Sequence, residues 1–152
     1  MATTVQQIKK EYPLPVYNFK VRLGTENHSF VKVSGLNLQY SPITYRHGLS
    51  WREGEIQIPG LQQALNITLE RGVITRNSEF WDWIQDLHYG IVEKRDLTVD
   101  LCNESGVPII SWMLKNVFPT QLDAPTFDAA SNDVAIEQLQ LMANGLFMEF
   151  HK

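Results

Sequence analysis

His28, His47, His88 and His151, the lone Cys102 and three aspartates are the side chains on which any chemistry would rest. The histidines show neither a His-x-His nor a His-Glu-x-x-His spacing, so no two share a helix or strand face as metal ligands do. Cys102 would become a nucleophile only beside a base. Alternation puts it on one strand face with Thr98 and Asp100, where an unreactive thiol is expected. Asp96, Asp100 and Asp123 are expected as carboxylates on the wet faces of strands. No Gly-x-Ser-x-Gly elbow, Walker loop or Gly-x-Gly-x-x-Gly turn occurs. The expectation is therefore no catalytic residue, no cofactor and no metal, in a chain that is not an enzyme.

The elements that would carry these residues are mostly strands. Tyr17, Phe19, Val21 and Leu23 alternate with Asn18, Lys20 and Arg22, a period of two that marks a half-buried strand. Gly24-Thr25-Glu26-Asn27 predicts a turn into a second strand over HSFVKVS. LNLQYS (36–41), LNITLER (65–71) and DLTVDLC (96–102) repeat the alternation. Asn103-Glu104-Ser105-Gly106 then turns into PIISWMLKNVF (108–118), with Ile110, Trp112 and Leu114 on one face. In the closing segment, DVAIEQLQLMANGLFMEF, the apolar positions change parity twice, which predicts one long strand with bulges. Residues 47–60 and 119–133, rich in glycine, proline and turn formers, are expected as loops.

One segment has the helical period. In NSEFWDWIQDLHYG, Phe80, Trp83, Ile84 and Leu87 fall on one face and Asp82, Gln85 and Asp86 on the other, predicting a helix over about residues 78–89. Asn77 or Ser78 can cap it and Gly90 can end it. The aromatic stripe is expected in the core, since no polar anchor accompanies the rings; Trp81 lies off it.

The chain has 152 residues, 43% of them apolar and 20% charged, as befits one globular domain over 1–152. A net charge of −4, with basic residues paired only at Lys9–Lys10 and Lys94–Arg95, is a poor footprint for nucleic-acid binding. No apolar run approaches the ~20 residues of a membrane span. The N-terminal MATTVQQIKKEYP lacks a signal peptide's apolar core, so export by that route is not expected. One cysteine rules out an internal disulfide and fits a reducing compartment, so the Asn66 and Asn103 glycosylation patterns are expected to be chance.

Taken in order, several stretches form a set. They are YPLPVYNFKVRL (12–23), FVKVSGL (30–36), the loop with Tyr45, Gly48 and Pro59-Gly60, ITLERGV (67–73) and FWDWI (80–84). RDLTVDLCNESG (95–106), Trp112, Pro119 and FDAASNDVAIEQLQL (127–141) complete it. The set spans nearly the whole chain and resembles the inner-tube proteins of contractile phage tails and of extracellular contractile injection systems. The resemblance implies a mainly β fold: an antiparallel β-sandwich or barrel-like domain with one packed helix, assembling edge to edge into a ring. It implies homohexameric rings stacked into a hollow tube that carries cargo in its lumen. Partners would be a contractile sheath protein and baseplate or spike hub proteins, with no membrane anchor and no specific nucleic-acid binding. Assembly would take place in the bacterial cytoplasm, as part of a released phage-tail-like particle or virion tail.

Residues 46–60, RHGLSWREGEIQIPG, are expected to make the contacts between subunits. The stretch is long for a hairpin turn, and its apolar groups would lack shelter on a monomer. The interface set is Arg46, His47, Ser50, Trp51, Arg52, Glu53, Glu55, Ile56 and Ile58, with Arg52, Glu53 and Glu55 supplying charge to pair across the boundary. The loop is a few residues longer than expected for the principal tube subunit. This leaves open a tube-initiator paralogue joining the spike or baseplate to the main tube. From another class stands a free-standing carbohydrate-binding sandwich, presenting Trp51, Trp81 or Trp112.

Overall fold

Alternation of apolar and polar side chains along most of the chain dictates strands, and strands dominate. The computed structural model describes residues 12–151; the expectations on the N-terminal segment, Lys9–Lys10 included, lie outside the described residues. In chain order the elements are β1 (Phe19–Leu23), β2 (Glu26–His28), β3 (Lys32–Ser34), β4 (Tyr40–Tyr45) and a single helical turn α1 (Ser50–Glu53). Then come β5 (Ile56–Gln62), β6 (Leu65–Gly72), helix α2 (Glu79–His88), β7 (Arg95–Cys102), β8 (Pro108–Asp123), β9 (Ile136–Ala143) and β10 (Leu146–Phe150). Strands run β2-β1-β7-β8-β9-β6-β3, with β10 also beside β8, while β4 and β5 pair only with each other. All pairings are antiparallel.

β8 spans 16 residues and serves two sheets, its first part pairing with β7 and β10 and its last with β9. The strand turns at Asn116, whose φ of 56° lies in the left-handed region that asparagine tolerates. Between the pairs Arg95↔Val117 and Leu97↔Leu114, β8 has one residue more than β7, a bulge that shifts the inward face. Leu114 and Val117 are therefore both buried although three positions apart. Asp96 secures the bend by accepting the Asn116 N–H at 3.3 Å. The closing segment follows the bend. It is not one bulged strand but two, β9 and β10, broken at Asn144-Gly145 opposite the turn in β8.

The core lies between the two sheets. Leu65, Ile67 and Leu69 of β6 and Leu139, Leu141 and Ala143 of β9 meet Val21, Leu23, Leu97, Val99, Leu114 and Val117. Two expectations need correction around it. HSFVKVS is split, because β2 ends at His28 and β3 crosses to pair with β6. In LNLQYS only Tyr40 and Ser41 are in a strand, since Gly35, at φ 91°, turns the chain out of register after β3.

Helix α2 seals the core with its aromatic stripe. Phe80 and Trp83 are buried, Ile84 and Leu87 half-buried, and Trp81 exposed. Ser78 stands at the N-cap without capping; its hydroxyl donates to Asp82 Oδ2 at 3.0 Å. Phe30 stacks on Phe80 with ring centroids 5.8 Å apart, and the Arg71 guanidinium lies 3.6 Å from the Phe80 centroid. Arg71 continues the inward series of β6 and is held by Glu137, so its charge is paired where it meets the helix. Trp83 does have a polar anchor: its indole N–H donates to the Glu93 carbonyl at 2.7 Å. Trp83→Ala is predicted to lower stability by about 3–5 kcal/mol in denaturant titrations, against less than ~1 kcal/mol for Trp81→Ala.

Candidate functional site

The residues proposed from the sequence as an interface gather on one projecting element. Ile56–Gln62 is a strand, not loop, and pairs with Tyr40–Tyr45 in the registers Ile43↔Ile58, Thr44↔Gln57 and Tyr45↔Ile56. Cross-strand partners share a face. Ile43, Tyr45, Ile56 and Ile58 therefore form an apolar quartet, while Thr44 donates to Gln57 Oε1 at 3.0 Å on the reverse. A ribbon with one apolar face should lie against a core, but among the described residues nothing covers this one. The four quartet residues remain between 44% and 53% exposed. Pro42 faces Pro59, which removes two N–H donors from the ladder and thins it at its base.

The connection at the tip, residues 46–55, is ordered by its own side chains. The Ser50 hydroxyl accepts the His47 N–H at 2.8 Å, and His47 Nδ1 accepts the Leu49 N–H at 3.2 Å. Gly54, at φ 89°, ends α1 and returns its N–H to the Ser50 carbonyl. Of the charges expected to pair across a boundary, Glu53 and Glu55 have neighbours within the tip. Arg46 Nε lies 3.1 Å from Glu55 Oε1, and His47 Nε2 lies 3.6 Å from Glu53 Oε2. Ser50 is buried in the turn. What the tip offers outward is Trp51, 79% exposed, beside Arg52, for which no ion pair forms among the described residues.

A second apolar surface lies where the two sheets splay. Phe19, Val33, Leu36, Val99, Leu101 and Trp112 line an open cavity of about 420 Å³. Trp112 offers a wall there, while Trp51 stands on α1 and Trp81 on α2, both exposed.

The aspartates serve the fold. Asp96 is exposed and holds the β8 bend, and Asp123 accepts from Gln121 Nε2 at 2.6 Å. Asp100 is not on a wet face: it is 4% exposed, and Cys102 is buried beside it. In the middle of a sheet, the short carboxylate is covered by longer side chains. It accepts from the Ser111 hydroxyl and has Arg22 Nη2 at 3.7 Å. Ser111 Oγ also lies 2.6 Å from His151 Nε2, so the serine sits between acid and imidazole. A nucleophilic triad needs the imidazole in the middle, so this row binds the C-terminal end of β10 to the sheet instead.

The model of the family described as "T4-like virus tail tube protein gp19" matches residues 15–146. The chain belongs to this tail tube family. It is a structural subunit of the inner tube of a contractile injection apparatus. A chain of the PVC sheath–tube complex of an extracellular contractile injection system, in the extended state, is 41% identical. The match covers 99% of this chain and 100% of that one, with a TM-score of 0.90. A chain of the anti-feeding prophage cap structure, the tube-terminating cap, is 39% identical over 93% of each chain, with a TM-score of 0.86. Hcp1 from Flavobacterium johnsoniae shares the fold at 15% identity, covering 89% of this chain and 97% of its own, with a TM-score of 0.62. No match to a curated protein sequence was found. Among the described residues, no helix is long and apolar enough to cross a membrane.

In this tube protein the β4–β5 arm depends on a close approach at its base, where a Cβ on Gly60 would overlap the Ser41 carbonyl oxygen. Gly60→Ala is predicted to open the arm without touching the core. Trypsin cleavage after Arg46 and Arg52 should quicken by about tenfold or more, while the melting temperature of the body stays within about 2 °C.

Proposed function

We propose that six copies of this chain close into a ring, and that rings stack into a hollow tube through the β4–β5 arm and its tip. The single observation that carries this is the apolar quartet Ile43, Tyr45, Ile56 and Ile58, half-exposed on a ribbon its own body does not shelter. An isolated two-stranded ribbon is marginal in water. Completing the burial of four half-exposed side chains is worth roughly 3–6 kcal/mol gross, at ~1.5–3 kcal/mol for a full side chain. Association costs more than that, so the sheet edges β2, β3 and β10 must contribute. A closed ring satisfies such edges, and strand addition between copies fits the antiparallel order.

The interface comprises Arg46, His47, Ser50, Trp51, Arg52, Glu53, Glu55, Ile56 and Ile58 in three roles. Ile56 and Ile58 supply the apolar face, and Trp51 and Arg52 reach outward. The Arg46–Glu55 and His47–Glu53 pairs, with Ser50, hold the tip in shape. The whole chain acts as one tube domain, assembled in the bacterial cytoplasm, with a sheath protein outside, baseplate or spike hub proteins at one end, and cargo in the lumen. It makes and breaks no bond, a reading supported by the structural use of each candidate carboxylate. Main tube rather than initiator is favoured by end-to-end similarity to a chain of a sheath–tube complex.

Replacing residues 43–58 with a short Gly-Ser turn tests the arm. The expected product is a folded monomer by circular dichroism and native mass spectrometry that gives neither rings nor tubes in negative stain. Full-length tubes from that variant would remove the arm from the assembly.

A further inference from the structure

We propose that Glu26, His28 and Glu79 form a binding site for a divalent transition-metal ion of the zinc class. Glu26 and His28 stand two apart on β2, so their side chains share a face, and Glu79 opens helix α2, which packs across it. One ligand atom from each lies within 4.8 Å of the others. The His28 side chain is only 10% exposed, and its Nε2, buried, finds no hydrogen-bond partner among the described residues. A buried imidazole nitrogen left without a hydrogen bond is costly. This one is aimed at Glu79 Oε2, 3.6 Å away, too far for a hydrogen bond and close to the separation of two ligands on one tetrahedral ion.

Surrounding contacts already orient the donors. Arg95 Nη1 holds the other Glu79 oxygen at 2.9 Å, fixing the carboxylate with Oε2 turned to His28. The His28 ring packs against the Phe30–Phe80 stack, with both centroids 6.1 Å away, so its direction is set by packing. Glu26 is exposed and makes no hydrogen bond or ion pair among the described residues, so it can swing inward over the ion. One imidazole and two carboxylates, without sulfur, suit zinc and its neighbours, with water free to complete the shell. The ion would tie the β1–β2 hairpin to the start of α2. Sequence spacing hides the site because its two halves belong to different elements.

Titration of the full chain with zinc chloride, followed by native mass spectrometry and isothermal calorimetry, tests the site. Wild type is expected to take one ion per chain and to melt higher with zinc present. His28→Gln and Glu26→Gln should each weaken binding by about tenfold or more and lose the melting shift, while His88→Gln retains both. If His28→Gln does not fold, Glu26→Gln decides, since that side chain supports nothing else in the structure. No uptake at ~100 µM zinc, or equal uptake by wild type and Glu26→Gln, would overturn the proposal.

Discussion

The turn that Asn116 makes at φ 56° lets a single strand of 16 residues belong to two sheets. Without the bend β8 would run straight off the edge of its sheet, and β9, β6 and β3 would have no frame to face β1 and β7. The extra residue also resets the inward face, so Leu114 and Val117 both point into the core. Asp96 holds the bulge, and the break at Asn144-Gly145 lets the closing segment follow it. From this one constraint follow the enclosed core, the seat for helix α2, and the positions of the edges left unpaired.

In the proposed ring, those leftovers are what one subunit offers the next. A protein working alone would cover its edges and fold its ribbon down. This chain spends its apolar residues on a core sealed by Phe80 and Trp83, and leaves the β4–β5 quartet outside. The Arg46–Glu55 ion pair and the Ser50 hydrogen bond keep the tip in shape before any neighbour arrives, so less freedom has to be lost when copies meet. Membership of the tail tube family and the half-sheltered arm thus describe the same economy of surface.

Much of this was legible in the sequence, for identifiable reasons. Strands such as Leu65–Gly72 bury one face and wet the other, so their period is clean, and the helix carried its stripe in Phe80, Trp83, Ile84 and Leu87. The stretch proposed as an interface was singled out by its length and unsheltered apolar groups. Its β5 strand was missed because Pro59 and Gly60 read as breakers; they stand there since the ribbon needs close approach and few donors. Asp100 was placed in water because alternation gives a face but not what covers it, and the cover comes from Ser111 and His151, remote in sequence. The Glu26, His28 and Glu79 cluster was invisible for the same reason.

In the proposed tube the arm of residues 40–62 is sheltered only by other copies of the chain. Amide hydrogen exchange, compared between dissociated monomer and assembled tube, measures that directly. Arm amides should exchange fast in the monomer and become protected by about a hundredfold or more in the tube, while the β6 and β9 core is slow in both. Equal exchange of the arm in monomer and tube would contradict it.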